Sequence, residues 1–225
     1  MNFMPEFKSS ADLDKHQLAG LQWTVEHVYQ NNQFYRDLFS KAGVSPGQIK
    51  SLNDIKLLPF TSPADLDEQY PLPFLSVPME KVVRVHASSG TTGKRKIMAY
   101  TAQDIADWSH MFARCYQMAG LNVHDRVQIA VGYGIWTAGV GFQQGCEKFG
   151  ATAVPIGPGA VDMHFQFLQD FGCTVLGCTA SMGLLMAEET YRRGLTGKLA
   201  LKKIIYGSER SSEAMRQRIS QSLGG

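Results

Sequence analysis

The run Ser88-Ser89-Gly90-Thr91-Thr92-Gly93-Lys94-Arg95-Lys96 gathers the residue types that hold phosphate. Two glycines let the backbone turn several N–H groups toward one point, and such a concavity binds anionic oxygens. Ser88, Ser89, Thr91 and Thr92 add hydroxyl donors, and Lys94 and Lys96 add positive charge. A triphosphate calls for this mixture. The spacing is not that of the G-x-x-x-x-G-K-S/T loop, because only two residues separate Gly90 from Gly93. On composition alone the run is equally a polar hairpin turn. With no apolar anchor between Ala87 and Ile97, Gly90 to Gly93 are expected to be exposed, poorly ordered without a ligand, and facing the ends of the sheet strands.

Two further runs follow apolar stretches that read as buried strands. Gly132-Tyr133-Gly134-Ile135-Trp136-Thr137-Ala138-Gly139 comes after Val127 to Val131. Glycines and aromatics at the C-terminal end of a strand suit a ligand pocket in an α/β sheet, and equally suit close helix–sheet packing. Tyr206-Gly207-Ser208-Glu209-Arg210 is the second, a strand-to-helix turn with Ser211 or Ser212 as helix N-cap. His86, beside the glycine run, is a candidate polar group for the site; a lone histidine at a strand end is more often structural.

The elements that must carry these runs are legible in the hydrophobic spacing. Leu18, Leu21, Val25, Val28, Phe34 and Leu38 fit one or two amphipathic helices that end near Gly43. Leu58-Pro59-Phe60-Thr61-Ser62-Pro63 predicts an extended link into a short helix, capped by Thr61 or Ser62 with Pro63 as its first residue. Residues 1–78 are read as a helical lead-in and 79–225 as an α/β nucleotide-binding portion. In the second part, strands are expected near 82–85, 97–100, 127–131, 151–155, 173–178 and 203–206. Helices are expected to Ala119 and over 141–149, 163–171, 182–193 and 213–223. Strands alternating with such helices predict an α/β fold with a layered, mainly parallel sheet and flanking helices.

With 225 residues and 44% hydrophobic content, the chain can bury a sizeable core. A net charge of +2 without basic clustering argues against nucleic acid as a partner. No stretch approaches the roughly 18 apolar residues that span a bilayer, and the N-terminus shows no basic segment followed by an apolar run. Cys115, Cys146, Cys173 and Cys178 form no C-x-x-C pair and are expected to be buried free thiols in a reducing cytoplasm.

The 88–96 run resembles the phosphate-loop signature of adenylate-forming enzymes. Arg84-Val85-His86-Ala87, Tyr29, Phe34-Tyr35 and Leu58-Pro59-Phe60-Thr61 are similar to the phenylacetate–coenzyme A ligase branch, and the resemblance runs from about Leu18 to the end. Arg95 stands where the family commonly has Pro. The family's Tyr-Gly-Tyr-Gly-Leu-Phe pattern, whose aromatics line the aryl pocket, is matched by Val131, Tyr133, Gly134, Ile135 and Trp136, with Val131 replacing the first Tyr and Trp136 the Phe. Gly207-Ser208-Glu209 resembles the family's Gly-Ala-Glu-Pro turn along the adenine.

The resemblance implies the N-terminal part of an ATP-dependent ligase acting on a phenylacetate-like carboxylic acid. A carboxylate displaces pyrophosphate from ATP with Mg²⁺ present, and coenzyme A then takes the acyl group and releases AMP. The family's aromatic-Gly-x-Ser/Thr-Glu motif, ribose-binding Asp and C-terminal Lys have no counterpart in this sequence, which is about half of what the resemblance leads one to expect. This predicts a chain unable to complete thioester formation alone, with apolar surface left for homo-oligomer formation. The same resemblance leaves open a non-catalytic nucleotide-binding module, or a synthetase that adenylates another acceptor such as a deazaflavin cofactor.

Overall fold

The computed structural model describes residues 2–68, 70–88 and 94–224. The chain divides into two compact units, one made of residues 5–103 and the other of 1–4 with 104–225.

The first unit begins with helices α1 (Ser10–Asn31) and α2 (Gln33–Ala42). The Ser9 hydroxyl accepts the Asp12 N–H at 3.2 Å and starts α1. Asn32 caps α2 by accepting the Tyr35 N–H, and its amide donates to the Pro73 and Leu75 carbonyls. Gly43, at φ 68°, ends α2 in the left-handed conformation that a side chain would resist. The apolar stripe anticipated from spacing is present: Val25, Phe39 and Ile49 are buried, with Leu18, Leu21, Val28 and Tyr35 packed around them.

The short helix of the link is α3 (Asp65–Glu68). The Asp65 carboxylate accepts the Ser62 N–H and hydroxyl, a reciprocal cap that sets Ser62 before the entry turn and Pro63 at its start. Strands β1 (Val82–Ala87) and β2 (Ile97–Thr101) pair antiparallel as a two-stranded sheet, with Ala87 opposite Ile97.

Helix α4 (Ala102–Met118) opens the alternating region. It is followed by β3 (Arg126–Ala130), α5 (Ala138–Phe149), β4 (Thr152–Pro155), α6 (Val161–Asp170), β5 (Val175–Thr179), α7 (Ala180–Arg192), β6 (Lys203–Gly207) and α8 (Glu213–Leu223). The four later strands form a parallel sheet in the order β4-β3-β5-β6. The two central strands alternate between two cores, as the two-residue period of a strand requires. Val127, Ile129, Val131 and Val175 join Tyr116 of α4 and Cys146 of α5. Ala130, Leu176 and Cys178 join Phe165 and Leu168 of α6, Met186 of α7, and Ile219 and Leu223 of α8. Apolar layers on both faces explain why these strands read as continuous hydrophobic runs.

Cys146, Cys173 and Cys178 are buried, whereas Cys115 is exposed, against expectation. The reason is helical phase. The buried stripe of α4 is Ser109, Ala113 and Tyr116, and Cys115 falls off it. Among the described residues no helix is long and apolar enough to cross a membrane.

Candidate functional site

In the first unit, the described flanks of the 88–96 run are Ser88 and Lys94 to Lys96. The expected phosphate-loop residues Ser89, Gly90, Thr91, Thr92 and Gly93 lie outside the described residues. The ladder of β1 and β2 continues into the flanks: the Ser88 N–H donates to the Lys96 carbonyl, and the Lys96 N–H to the Ser88 hydroxyl, each at 2.9 Å. Arg95 donates to the Ser88 carbonyl at 3.1 Å and so ties the two flanks together. Lys94 places its ammonium 5.2 Å from the centre of the Tyr70 ring. Lys96 pairs with the Asp67 carboxylate and donates to the Pro63 carbonyl at 3.3 Å. Both cations are thereby gathered at the mouth of the hairpin. His86 is buried on β1 and meets the Tyr100 ring edge-on at 5.4 Å.

In the second unit, the chain leaves β3, β5 and β6 at one edge of the parallel sheet, where Ala130 stands opposite Cys178 and Thr179 opposite Gly207. A cleft of 320 Å³ opens there. Ala130, Val131, Gly132 and Pro158 form one part of its wall, and Thr179, Ser181, Met182 and Leu185 the other. The wall is apolar apart from two hydroxyls, the usual chemistry of a small-molecule pocket.

Of the residues expected to form an acyl pocket, Val131 lines this cleft and the other four do not. Tyr133 turns inward against the core beneath α5. Its hydroxyl is buried with no hydrogen-bond partner among the described residues. Burial, then the nearby Glu147 and Cys146, push this phenol up to about 12. Gly134 turns the chain outward at φ 93°, and Ile135 and Trp136 remain 49% and 37% exposed. The loop is closed by the Gly139 N–H, which donates to the Gly132 carbonyl at 3.1 Å. A Cβ on Gly139 would lie 2.5 Å from that oxygen, so only glycine permits the closure.

The turn after β6 is fastened to the wall of the same cleft. Glu209 accepts the Ser181 N–H at 2.6 Å and the Ser181 hydroxyl at 2.9 Å. These two bonds hold its carboxyl below the usual range. The site of attachment is the first turn of α7, where a carboxylate is favoured by the free N–H groups and the helix dipole. Thr179 caps the same helix by accepting the Met182 N–H, and its hydroxyl lies 3.2 Å from that of Ser181. Ser208 has φ 68°, a left-handed conformation costing a side-chain-bearing residue on the order of 1–3 kcal/mol. Gly207 and Ser208 are exposed. Ser212 caps α8 by accepting the Met215 N–H at 3.1 Å, one of the two caps anticipated.

Thr179, Ser181, Met182 and Pro158 were not singled out from the sequence. The available signal was Thr179-Ala180-Ser181 directly after the buried run Val175 to Cys178, a strand end capped into a helix. It reads as ordinary capping, which it also is.

No family model matches the chain. Individual proteins do. The phenylacetate–coenzyme A ligase of Aromatoleum evansii is 42% identical over 212 residues, 94% of this chain and 48% of that protein. The phenylacetate–coenzyme A ligase of Escherichia coli K12 is 38% identical over 221 residues, 97% of this chain and 51% of that protein. The crystal structure of a 2-hydroxyisobutyryl-CoA ligase, in complex with 2-HIB-AMP and CoA, matches with a TM-score of 0.89 at 27% identity, over 97% of this chain and 48% of that one. The chain spans about half the length of the curated relatives it matches. Along nearly its whole length the chain is similar in sequence to phenylacetate–coenzyme A ligases, and its layered α/β fold matches about half of a solved CoA ligase.

Proposed function

We propose that this chain supplies the nucleotide-phosphate, adenine and acyl-binding portion of an ATP-dependent acid–thiol ligase. The reaction of the whole enzyme is adenylation of a phenylacetate-like carboxylic acid followed by transfer to coenzyme A. The observation that carries the reading is the identity of about 40% with phenylacetate–coenzyme A ligases along nearly the entire chain. The glycine, hydroxyl and lysine content of residues 88–96 and the apolar cleft at the strand ends support it.

In this reading Ser88 to Gly93 cradle the β- and γ-phosphates, with Lys94 and Lys96 balancing their charge. Gly207 to Glu209 form the surface along the adenine. The cleft beside Val131 receives the acyl group, and Ile135 and Trp136 are available to cover it. Adenylation is limited by charge that develops on the phosphoryl oxygens, so aimed donors supply most of the catalysis. Among the described residues no group of three or more His, Cys, Asp or Glu is placed to hold a metal ion. In this reading Mg²⁺ arrives with the ATP phosphates as part of the substrate. The buried thiols suit a reducing, cytoplasmic setting. Fully exposed Phe60 and largely exposed Trp23 suit self-association of the chain.

The test uses the purified chain with ATP, Mg²⁺, phenylacetate and coenzyme A, measuring ATP binding, acid-dependent pyrophosphate exchange and thioester. ATP binding with little or no thioester is the expected result. Failure to bind ATP at about 1 mM, the top of the usual substrate range, would overturn the nucleotide assignment. Because the chain matches about half of its relatives, a second reading is a non-catalytic nucleotide-binding module. ATP binding with no pyrophosphate exchange for any acid in a panel, measured on a full-length version, selects it.

A further inference from the structure

We infer that Ser181 is a positioning residue that joins the acyl cleft to the nucleotide turn, so that the two ligands bind cooperatively. The inference rests on the reading of those two surfaces given above.

Ser181 occupies both places at once. It lines the cleft between Val131 and Leu185. Its N–H and hydroxyl are also the two described donors to Glu209, at 2.6 and 2.9 Å, across 28 residues of chain. A carboxylate held by two bonds from one residue has little freedom to swing. The residue before it, Ser208, sits in a conformation that its side chain disfavours. Without the bonds to Ser181, that turn has reason to relax toward ordinary backbone angles. On the other side, the Thr179 hydroxyl at 3.2 Å links Ser181 to the end of β5 and to the cap of α7. An acyl group pressed against Thr179 and Ser181 thus bears on the same bonds that fix the turn. Filling the cleft orders Glu209, and filling the turn orders the cleft wall. Linkage requires each ligand to tighten the other by the same factor.

The experiment has two arms, both on the full chain. In the first, hydrogen exchange is measured without ligand for the wild type, Ser181→Ala, Ser181→Thr and Glu209→Gln. Amides of residues 207–211 are expected to exchange on the order of tenfold faster in Ser181→Ala and Glu209→Gln, the loss matching one charge-assisted bond. Ser181→Thr restores protection, and the α8 amides serve as an unchanged reference. In the second, phenylacetate is titrated calorimetrically with and without saturating AMP. The wild type should show at least about fivefold coupling, Ser181→Ala a clearly smaller factor because only the N–H bond to Glu209 remains, and Ser181→Thr a recovered factor. A purely structural serine would not move that ratio. Unchanged exchange in Ser181→Ala overturns the inference, as does wild-type binding of both ligands without coupling, or equal coupling in Ser181→Ala. If the wild type binds neither ligand, the functional reading is what fails, and the exchange arm still decides whether Ser181 holds the turn.

Discussion

The cleft at the strand ends and the lysines of the hairpin mouth are held by different physics. The cleft is built on β3 and β5, whose residues Val127, Ile129, Val175 and Leu176 have no exposed surface. Its polar groups are fixed by helix caps and by a carboxylate with two partners. Lys94 and Lys96 instead lean on an aromatic ring and on a partly exposed carboxylate. A buried framework gives position, because close-packed side chains cannot shift independently. A surface framework gives charge with little commitment, because exposed ion pairs contribute roughly 0–1 kcal/mol. Pocket shape calls for the first arrangement. Cations that must meet a ligand's phosphates can use the second, since they have to exchange partners when it arrives.

The largest expected effect comes from the buried framework itself. Leu176→Ala removes a side chain with no exposed surface from β5. Urea unfolding should show a loss of about 2–5 kcal/mol. A loss below about 1 kcal/mol would mean that the layer under the cleft is loosely packed, and the contrast between the two regions would fail. Next is Gly139→Ala. The new methyl would meet the Gly132 carbonyl and the Tyr133 ring, at a cost of about 1–3 kcal/mol. Unchanged stability would show that the loop carrying Tyr133 to Trp136 is not held against α5.

How much of this contrast the sequence disclosed follows from what is local. The alternation of strands and helices was legible because buried strands and amphipathic helices have distinct periods. Residue pairs that meet only after folding were not. Glu209 and Ser181 are separated by 28 positions, and neither type alone signals the bond. Tyr133 could be placed at a strand end, but its inward turn depends on Gly134 at φ 93° and on the close approach of Gly139. Helices α5, α6 and α7 start two or three residues before the apolar spacing places them. Helix α7 begins at Ala180 rather than Met182, because Thr179 caps it directly from the strand.

A smaller effect, confined to acid, comes from a polar group inside the framework. His164 of α6 is fully buried, with its Nδ1 3.0 Å from the Gln128 amide nitrogen. Burial depresses its pKa. Above about pH 6.5 the imidazole is neutral in folded and unfolded chains alike. As pH falls below that value, the unfolded chain takes up a proton that the folded one resists, so stability drops. Urea midpoints should therefore decline between pH 7 and pH 5, and decline less in His164→Gln. Equal slopes for the two proteins would mean that the histidine is protonated without disturbing the core.

The smallest effect on stability should come from the surface pair, where it is accompanied by a change in binding. Asp67→Asn removes the carboxylate from Lys96. Both side chains reach solvent, so stability should change by about 0.5 kcal/mol or less. In the functional reading, Lys96 must leave Asp67 before it can serve a phosphate. The pair then competes with the nucleotide, and breaking it releases the ammonium at no binding cost. ATP affinity of Asp67→Asn should rise about two- to threefold at low salt, since an exposed pair is worth well under 1 kcal/mol. The gain should shrink as added salt screens the pair in the wild type. Lys96→Ala should weaken ATP binding while leaving the urea midpoint nearly unchanged. Weaker binding in Asp67→Asn would reverse the interpretation: Asp67 would then hold Lys96 in place for the nucleotide, and the hairpin mouth would be a positioned site like the cleft.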